Sequence, residues 1–104
     1  MIGVLLTFRF GSEFSEARIR QIADAAQGQF QGMPGLRSKA FTVDVAKREA
    51  VNFYLWESEA AAHAFFTPAL LARVAGLYGV PPDLQFVQVA ALVENAPKAA
   101  RPLP

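Results

Sequence analysis

The sequence predicts a single α+β domain, built as two β-α-β halves around one antiparallel sheet. Three observations carry that prediction. Four stretches have the apolar content or period-two pattern of strands, and two amphipathic helical regions separate them in β-α-β-β-α-β order. The chain of 104 residues has room for one core and for no second folding unit.

Residues 2–10 set Ile2, Val4, Leu6, Phe8 and Phe10 on one face, while the other, with Leu5, Thr7 and Arg9, is partly apolar. Gly11-Ser12 turns the chain. Ser15 then caps a helix in which Ile19, Ile22, Ala23, Ala26 and Phe30 recur at helical spacing. Gly32-Met33-Pro34-Gly35 is a turn, because proline fixes φ and glycine tolerates the left-handed region. Residues 36–44 and 49–57 are the second and third strands, linked by Ala46-Lys47-Arg48. A tight hairpin of even length sets Arg37, Lys39 and Phe41 on the face of Asn52, Tyr54 and Trp56; a bulge would break that register.

Ser58 caps a second helix that runs through Phe66. Thr67-Pro68 starts another over residues 69–78, since a capping hydroxyl followed by proline suits a first turn. Leu70, Leu71, Val74 and Leu77 lie on one side of it. Gly79 closes it, and Pro81-Pro82 forbid its continuation. Residues 84–93 form the last strand, apolar on both faces, and the Pro/Ala-rich tail 96–104 is expected to be flexible, leaving residues 1–95 as the domain. An antiparallel sheet with one face in water alternates cleanly. The first and last strands do not, and two helical regions cover only one face. A second copy of the sheet is the simplest cover for the other, so a homodimer is expected.

Composition points the same way. At 53% hydrophobic and 18% charged residues, the chain has more apolar surface than a small monomer hides. A formal charge of +1 gives no footprint for nucleic acid or an anionic membrane. The opening MIGVLLTFRF has no basic leader and meets Arg9 early, so it reads as neither a signal peptide nor a membrane span. With no cysteine, there are no disulfides, thiolate nucleophiles or cysteine metal sites, which suits a reducing cytoplasm. A single histidine argues against a built-in transition-metal site. Gly28, Gly32 and Gly35 follow a helix rather than a strand and make no dinucleotide fingerprint.

The segment Met33-Pro34-Gly35-Leu36 resembles the turn common in dimeric α/β-barrel proteins. The run Glu49-Ala50-Val51-Asn52-Phe53-Tyr54-Leu55-Trp56-Glu57, followed by a Ser-capped alanine-rich helix, is similar to the YdhR-type monooxygenases of that superfamily. This resemblance spans residues 1–95. It implies a ferredoxin-like fold with a four-stranded antiparallel sheet, paired as a dimeric α/β barrel, with a pocket between sheet and helices. Members of the superfamily oxidise aromatic polyketide-like compounds without flavin or metal, degrade haem, or only bind or isomerise ligands. The haem-degrading branch uses an asparagine on the first strand, a tryptophan after the third and a histidine in the next helical segment. Here residues 2–10 hold no asparagine, and Phe65 and Ala75 stand at the other two positions, so the resemblance implies no haem chemistry.

Oxygenation without a cofactor asks little of a protein. A phenol or hydroquinone must lose its proton in an apolar pocket, so that its own anion can pass an electron to oxygen. Tyr54, Asn52 and His63 are the candidate proton-handling residues, and Trp56, Phe41, Lys39 and Arg37 the candidate ring and oxyanion contacts. Each has a plainer reading. Tyr54 and Trp56 also suit a core; Arg37 and Lys39 also suit solvated charges on an edge strand. Asn52 in an apolar strand needs a partner, in the pocket or in the framework. His63, the one side chain that titrates near neutrality, also reads as an exposed helix residue. The expected function is a cofactor-independent monooxygenase acting on a small aromatic or polycyclic compound, the alternative a non-catalytic ligand-binding dimer on the same fold. A pocket filled by Phe41 and Trp56 themselves would favour a structural role.

Overall fold

The computed structural model describes residues 1–95, so the tail 96–104 lies outside the described residues. In chain order the elements are β1 (Ile2–Arg9), a 3-10 turn (Gly11–Glu13), α1 (Glu16–Phe30), β2 (Leu36–Asp44), β3 (Glu49–Trp56), α2 (Glu59–Phe65), α3 (Pro68–Tyr78) and β4 (Pro82–Gln88). The strands pair antiparallel throughout in the order β2-β3-β1-β4. This is the ferredoxin-like α+β fold that the sequence predicts.

Local chemistry sets the helix ends. Ser15, Ser58 and Thr67 each cap a helix, accepting from the backbone N–H of Arg18, Ala61 and Leu70 at 3.2, 3.1 and 3.1 Å. Each such bond is worth ~1 kcal/mol. Gly79 ends α3 at φ 87°, and its N–H reaches the Ala75 carbonyl at 2.8 Å. Pro68 opens α3 as a separate helix, bent 59° from α2. Among the described residues, no single helix is long and apolar enough to cross a membrane.

The last strand departs from the expected 84–93. It begins at Pro82 and stops at Gln88, which pairs with Ile2 at the start of β1. The ladder ends at that pair, where β1 itself begins, and residues 89–93 leave the strand despite their apolar character. Val93 is 85% exposed and Leu92 39%. Pro82 fits because β4 is an edge strand. β3 likewise stops one residue early, where the Glu57 N–H turns to the Gly35 carbonyl at 2.9 Å.

The hairpin between β2 and β3 keeps its register over most of its length. Lys39 faces Tyr54, Phe41 faces Asn52 and Val43 faces Ala50. A bulge between Leu36 and Ser38 leaves Arg37 without a partner, and Leu36, not Arg37, faces Trp56. Arg37 therefore drops out of the expected row and forms an ion pair with Glu94. Since β2 and β4 are opposite edges, that pair carries residues 89–94 across the width of the sheet. Arg9, at the end of β1, meets the carboxylates of Glu49 and Asp83.

The core lies between one face of the sheet and the helices. Ile2, Val4, Leu6, Phe8, Ala50, Tyr54 and Trp56 supply the sheet side, and Ile19, Ala62 and Phe66 lead the other. Gly35 is required where α2 meets the turn before β2. Its φ is +81°, and a Cβ there would sit 2.9 Å from that of Ala61. The opposite face of the sheet carries half-buried Leu5, Val51, Phe53 and Val87, and none of these joins the helical core cluster.

Candidate functional site

A cavity of about 300 Å³ lies between the helix-bearing face of the sheet, α1 and α3, near the lower end of ligand-pocket sizes. Period-two alternation aims Lys39 and Phe41 of β2, and Asn52 and Tyr54 of β3, into it. Ile22, Ala26 and Phe30 from α1 form one apolar wall, and Leu70, Val74 and Leu77 from α3 the other. Arg73 of α3, itself exposed, borders the cavity.

Lys39 is the unusual group. Its Nζ donates to Tyr54 Oη at 3.0 Å. The same nitrogen lies 3.7, 3.9 and 4.3 Å from the ring centroids of Phe30, Phe41 and Tyr54. Among the described residues no carboxylate pairs with it. The rings attract the ammonium by ~0.5–2 kcal/mol, yet burial penalises the charge more. The result is a pKa lowered from 10.5 to about 7. The free base of this amine is therefore within reach at neutral pH.

Two phenols stand beside it. Burial holds the pKa of Tyr54 well above the ordinary tyrosine value, and the nearby Tyr78 adds to the rise. Tyr78 is also raised by burial, in part offset by Asn52, whose Nδ2 donates to Tyr78 Oη at 3.1 Å. Asn52 is 3% exposed, and this bond gives its amide the partner that burial demands. The Tyr78 ring stacks on Phe8 with centroids 3.8 Å apart, which fixes its position. Each hydroxyl oxygen already accepts a bond, from Lys39 or from Asn52. Each hydroxyl proton is thus available to a ligand oxygen.

Of the seven residues singled out from the sequence, the cavity gathers Lys39, Phe41, Asn52 and Tyr54. Arg37 is outside it, drawn off by the bulge to Glu94. Trp56 lies behind Tyr54 rather than on the cavity wall, stacked at 6.2 Å and packed on Phe65 and Phe66 at 5.1 and 6.0 Å. Its Nε1 finds no hydrogen-bond partner among the described residues. His63 is exposed on α2, its ring stacked on Phe86 at 4.5 Å, and it does not line the cavity. The space is therefore not closed by Phe41 and Trp56.

Sequence reasoning missed Tyr78, Arg73 and the ligand-facing role of Phe30. The signal for two of them was present. Arg73 falls three residues after Leu70, and Tyr78 four after Val74, on the stripe that marks the inward side of α3. Arg73 is also the one charged residue in that helix.

No protein-family model matches the sequence, and no curated protein matches it. Among solved structures, the fold is similar to a monooxygenase from the gene ActVA-Orf6 of Streptomyces coelicolor, in complex with nanaomycin D (20% identity, 91% of this chain and 92% of that one, TM-score 0.65). SnoaB, a cofactor-independent oxygenase from Streptomyces nogalater, is similar at 14% identity over 88% of this chain and 95% of its own, with a TM-score of 0.63. Rv0793 from Mycobacterium tuberculosis matches at 20% identity over 91% and 98%, with a TM-score of 0.62. At identities of 20% or less, these three likenesses establish a shared ferredoxin-like fold.

Proposed function

We propose that this cavity oxygenates a phenol- or hydroquinone-type aromatic compound without a cofactor, in a cytoplasmic homodimer. The observation that carries the reading is Lys39, a near-neutral amine bonded to a tyrosine hydroxyl inside an aromatic-lined cavity. The YdhR-type resemblance of residues 49–57 supports it, as do the activities of the oxygenases that share the fold.

In this reading neutral Lys39 takes the phenolic proton, and the ammonium so formed pairs with the phenolate. The hydroxyls of Tyr54 and Tyr78 donate to the same oxygen, and Asn52 holds Tyr78 in place. The phenolate passes one electron to oxygen, and the radical pair joins at a ring carbon to form a C–O bond. The peroxide takes up a proton, the ring carbon loses its own, and the O–O bond breaks to leave a carbonyl and water. A phenol and O₂ thus give a quinone and H₂O. The ring supplies all four electrons, so no external reductant is required.

Oxygen uptake by purified protein, stripped of metal and flavin, against a panel of naphthols, hydroquinones and polyphenols tests this. Consumption with quinone product is expected, and Tyr54→Phe should lower kcat by ~10²-fold, as loss of one preorganised donor does. If panel members bind in the cavity and none is oxidised, the non-catalytic ligand-binding dimer replaces this reading.

The homodimer rests on the open sheet face with Leu5, Val51, Phe53 and Val87. Sedimentation at micromolar concentration should give twice the 11.3 kDa protomer mass. A clean monomer would remove the buried-face argument.

A further inference from the structure

The geometry points to an anion subsite at Arg73: the ligand is an aromatic hydroxy acid whose carboxylate pairs with Arg73 while its phenolic oxygen meets Lys39 and Tyr54. This deepens the oxygenase reading and rests on it for the phenol end. The charged side chains that line the cavity are Lys39 and Arg73, both basic, and no acidic side chain lines it. A ligand that fills it with an anion at each end meets a cation at each end.

The placement of Arg73 is the second reason. Arg9 pairs with Glu49 and Asp83, Arg20 with Glu16 and Arg37 with Glu94, while Arg18 and Arg48, which like Arg73 have no carboxylate partner among the described residues, do not line this cavity. Arg73 makes no ion pair among the described residues. A charge kept on α3 for solubility alone would suit Ala69, Ala72 or Gly76, all exposed. It sits instead on the stripe of Leu70, Val74 and Leu77, at the border of the cavity. Lys39 rises from edge strand β2, whereas α3 packs against β4 at the opposite edge. The two cations therefore reach the cavity from different elements, the sheet and α3, an arrangement that a fused-ring acid carrying its hydroxyl and carboxylate on different rings can meet. Guanidinium is also the group best shaped for two parallel bonds to a carboxylate.

The test compares 6-hydroxy-2-naphthoate with 2-naphthol, titrated without oxygen by their own fluorescence against the full chain. The acid is expected to bind about 10-fold more tightly or better, the usual range for a hydrogen bond to a charged group. Arg73→Gln should erase that advantage while weakening 2-naphthol far less than the acid, and Arg73→Lys should keep part of it. Equal affinities, or equal weakening of both ligands by Arg73→Gln, would overturn the subsite. The two readings fail separately. Oxidation of 2-naphthol with no preference for the acid would remove the subsite and keep the oxygenase. An Arg73-dependent preference without oxygen uptake would keep the subsite and remove the oxygenase.

Discussion

Lys39→Met is expected to lower the rate of oxygen uptake by ~10²–10⁴-fold, the range for removal of a positioned base, and to stabilise the protein at pH 6. Both effects have one cause. Burial lowers the folded-state pKa of Lys39 from 10.5 to about 7. Below pH 7 the amine is protonated whether the chain is folded or not, and the native state bears the penalty of a half-buried cation with no carboxylate partner among the described residues. Between pH 7 and 10.5 the unfolded chain binds the extra proton, so wild-type stability rises with pH across that window. Methionine removes the penalty. The variant should therefore exceed wild type by ~0.5–2 kcal/mol at pH 6, a usual gain where activity has been traded for stability. The gap should close as pH approaches 10.5. Wild-type kcat/KM should climb through pH 7 and level off above it. Thermal melts and oxygen-electrode rates over the same pH series read both effects. A variant that keeps its rate, or that is less stable than wild type at pH 6, contradicts this role for Lys39.

Trp56→Ala is expected to destabilise the fold by ~3–5 kcal/mol, the usual loss for a large aromatic removed from a core. Trp56 is 1% exposed and packs on Tyr54, Phe65 and Phe66. Trp56→Phe should cost far less. It gives up part of the indole volume but also removes a buried Nε1 donor with no partner among the described residues, a penalty of ~1–3 kcal/mol. Because Trp56 lies outside the cavity wall, Trp56→Phe should leave 2-naphthol affinity unchanged. Denaturant melts with the naphthol titration separate the two roles. Weakened binding in a stable Trp56→Phe protein would return the indole to the site.

What the sequence made legible follows from how local each signal is. Caps at Ser15, Ser58 and Thr67, the Gly79 stop and the period-two strands are decided within a few residues, and they stand as read. That Lys39 and Tyr54 share a face was legible as well, because hairpin register depends on a short turn; their direct pairing is a finding of the structure. The bulge that ejects Arg37 left no mark in the alternation of apolar residues. The end of β4 was hidden for a different reason. Residues 89–93 have strand composition, but the ladder ends at the pair of Ile2 with Gln88. The pairing of Asn52 with Tyr78 joins residues 26 positions apart through the packing of α3 on the sheet, a tertiary fact that no local pattern encodes.

In the proposed reaction Lys39 takes the proton of a bound phenol. An ordinary phenol titrates near 10, so its proton prefers to stay by ~4 kcal/mol against an amine at about 7. An ammonium and a phenolate ~4 Å apart attract by ~4 kcal/mol at an effective dielectric of 20. The two roughly offset each other before the phenolate is buried, and the bonds from Tyr54 and Tyr78 are what offset that further cost and favour the ion pair. The most direct measurement is the absorption spectrum of 2-naphthol bound without oxygen at pH 7.5, where the free compound is neutral. The bound ligand should show the naphtholate band in wild type and lose it in Lys39→Met. A neutral spectrum for the ligand bound to wild type would show that Lys39 does not take its proton.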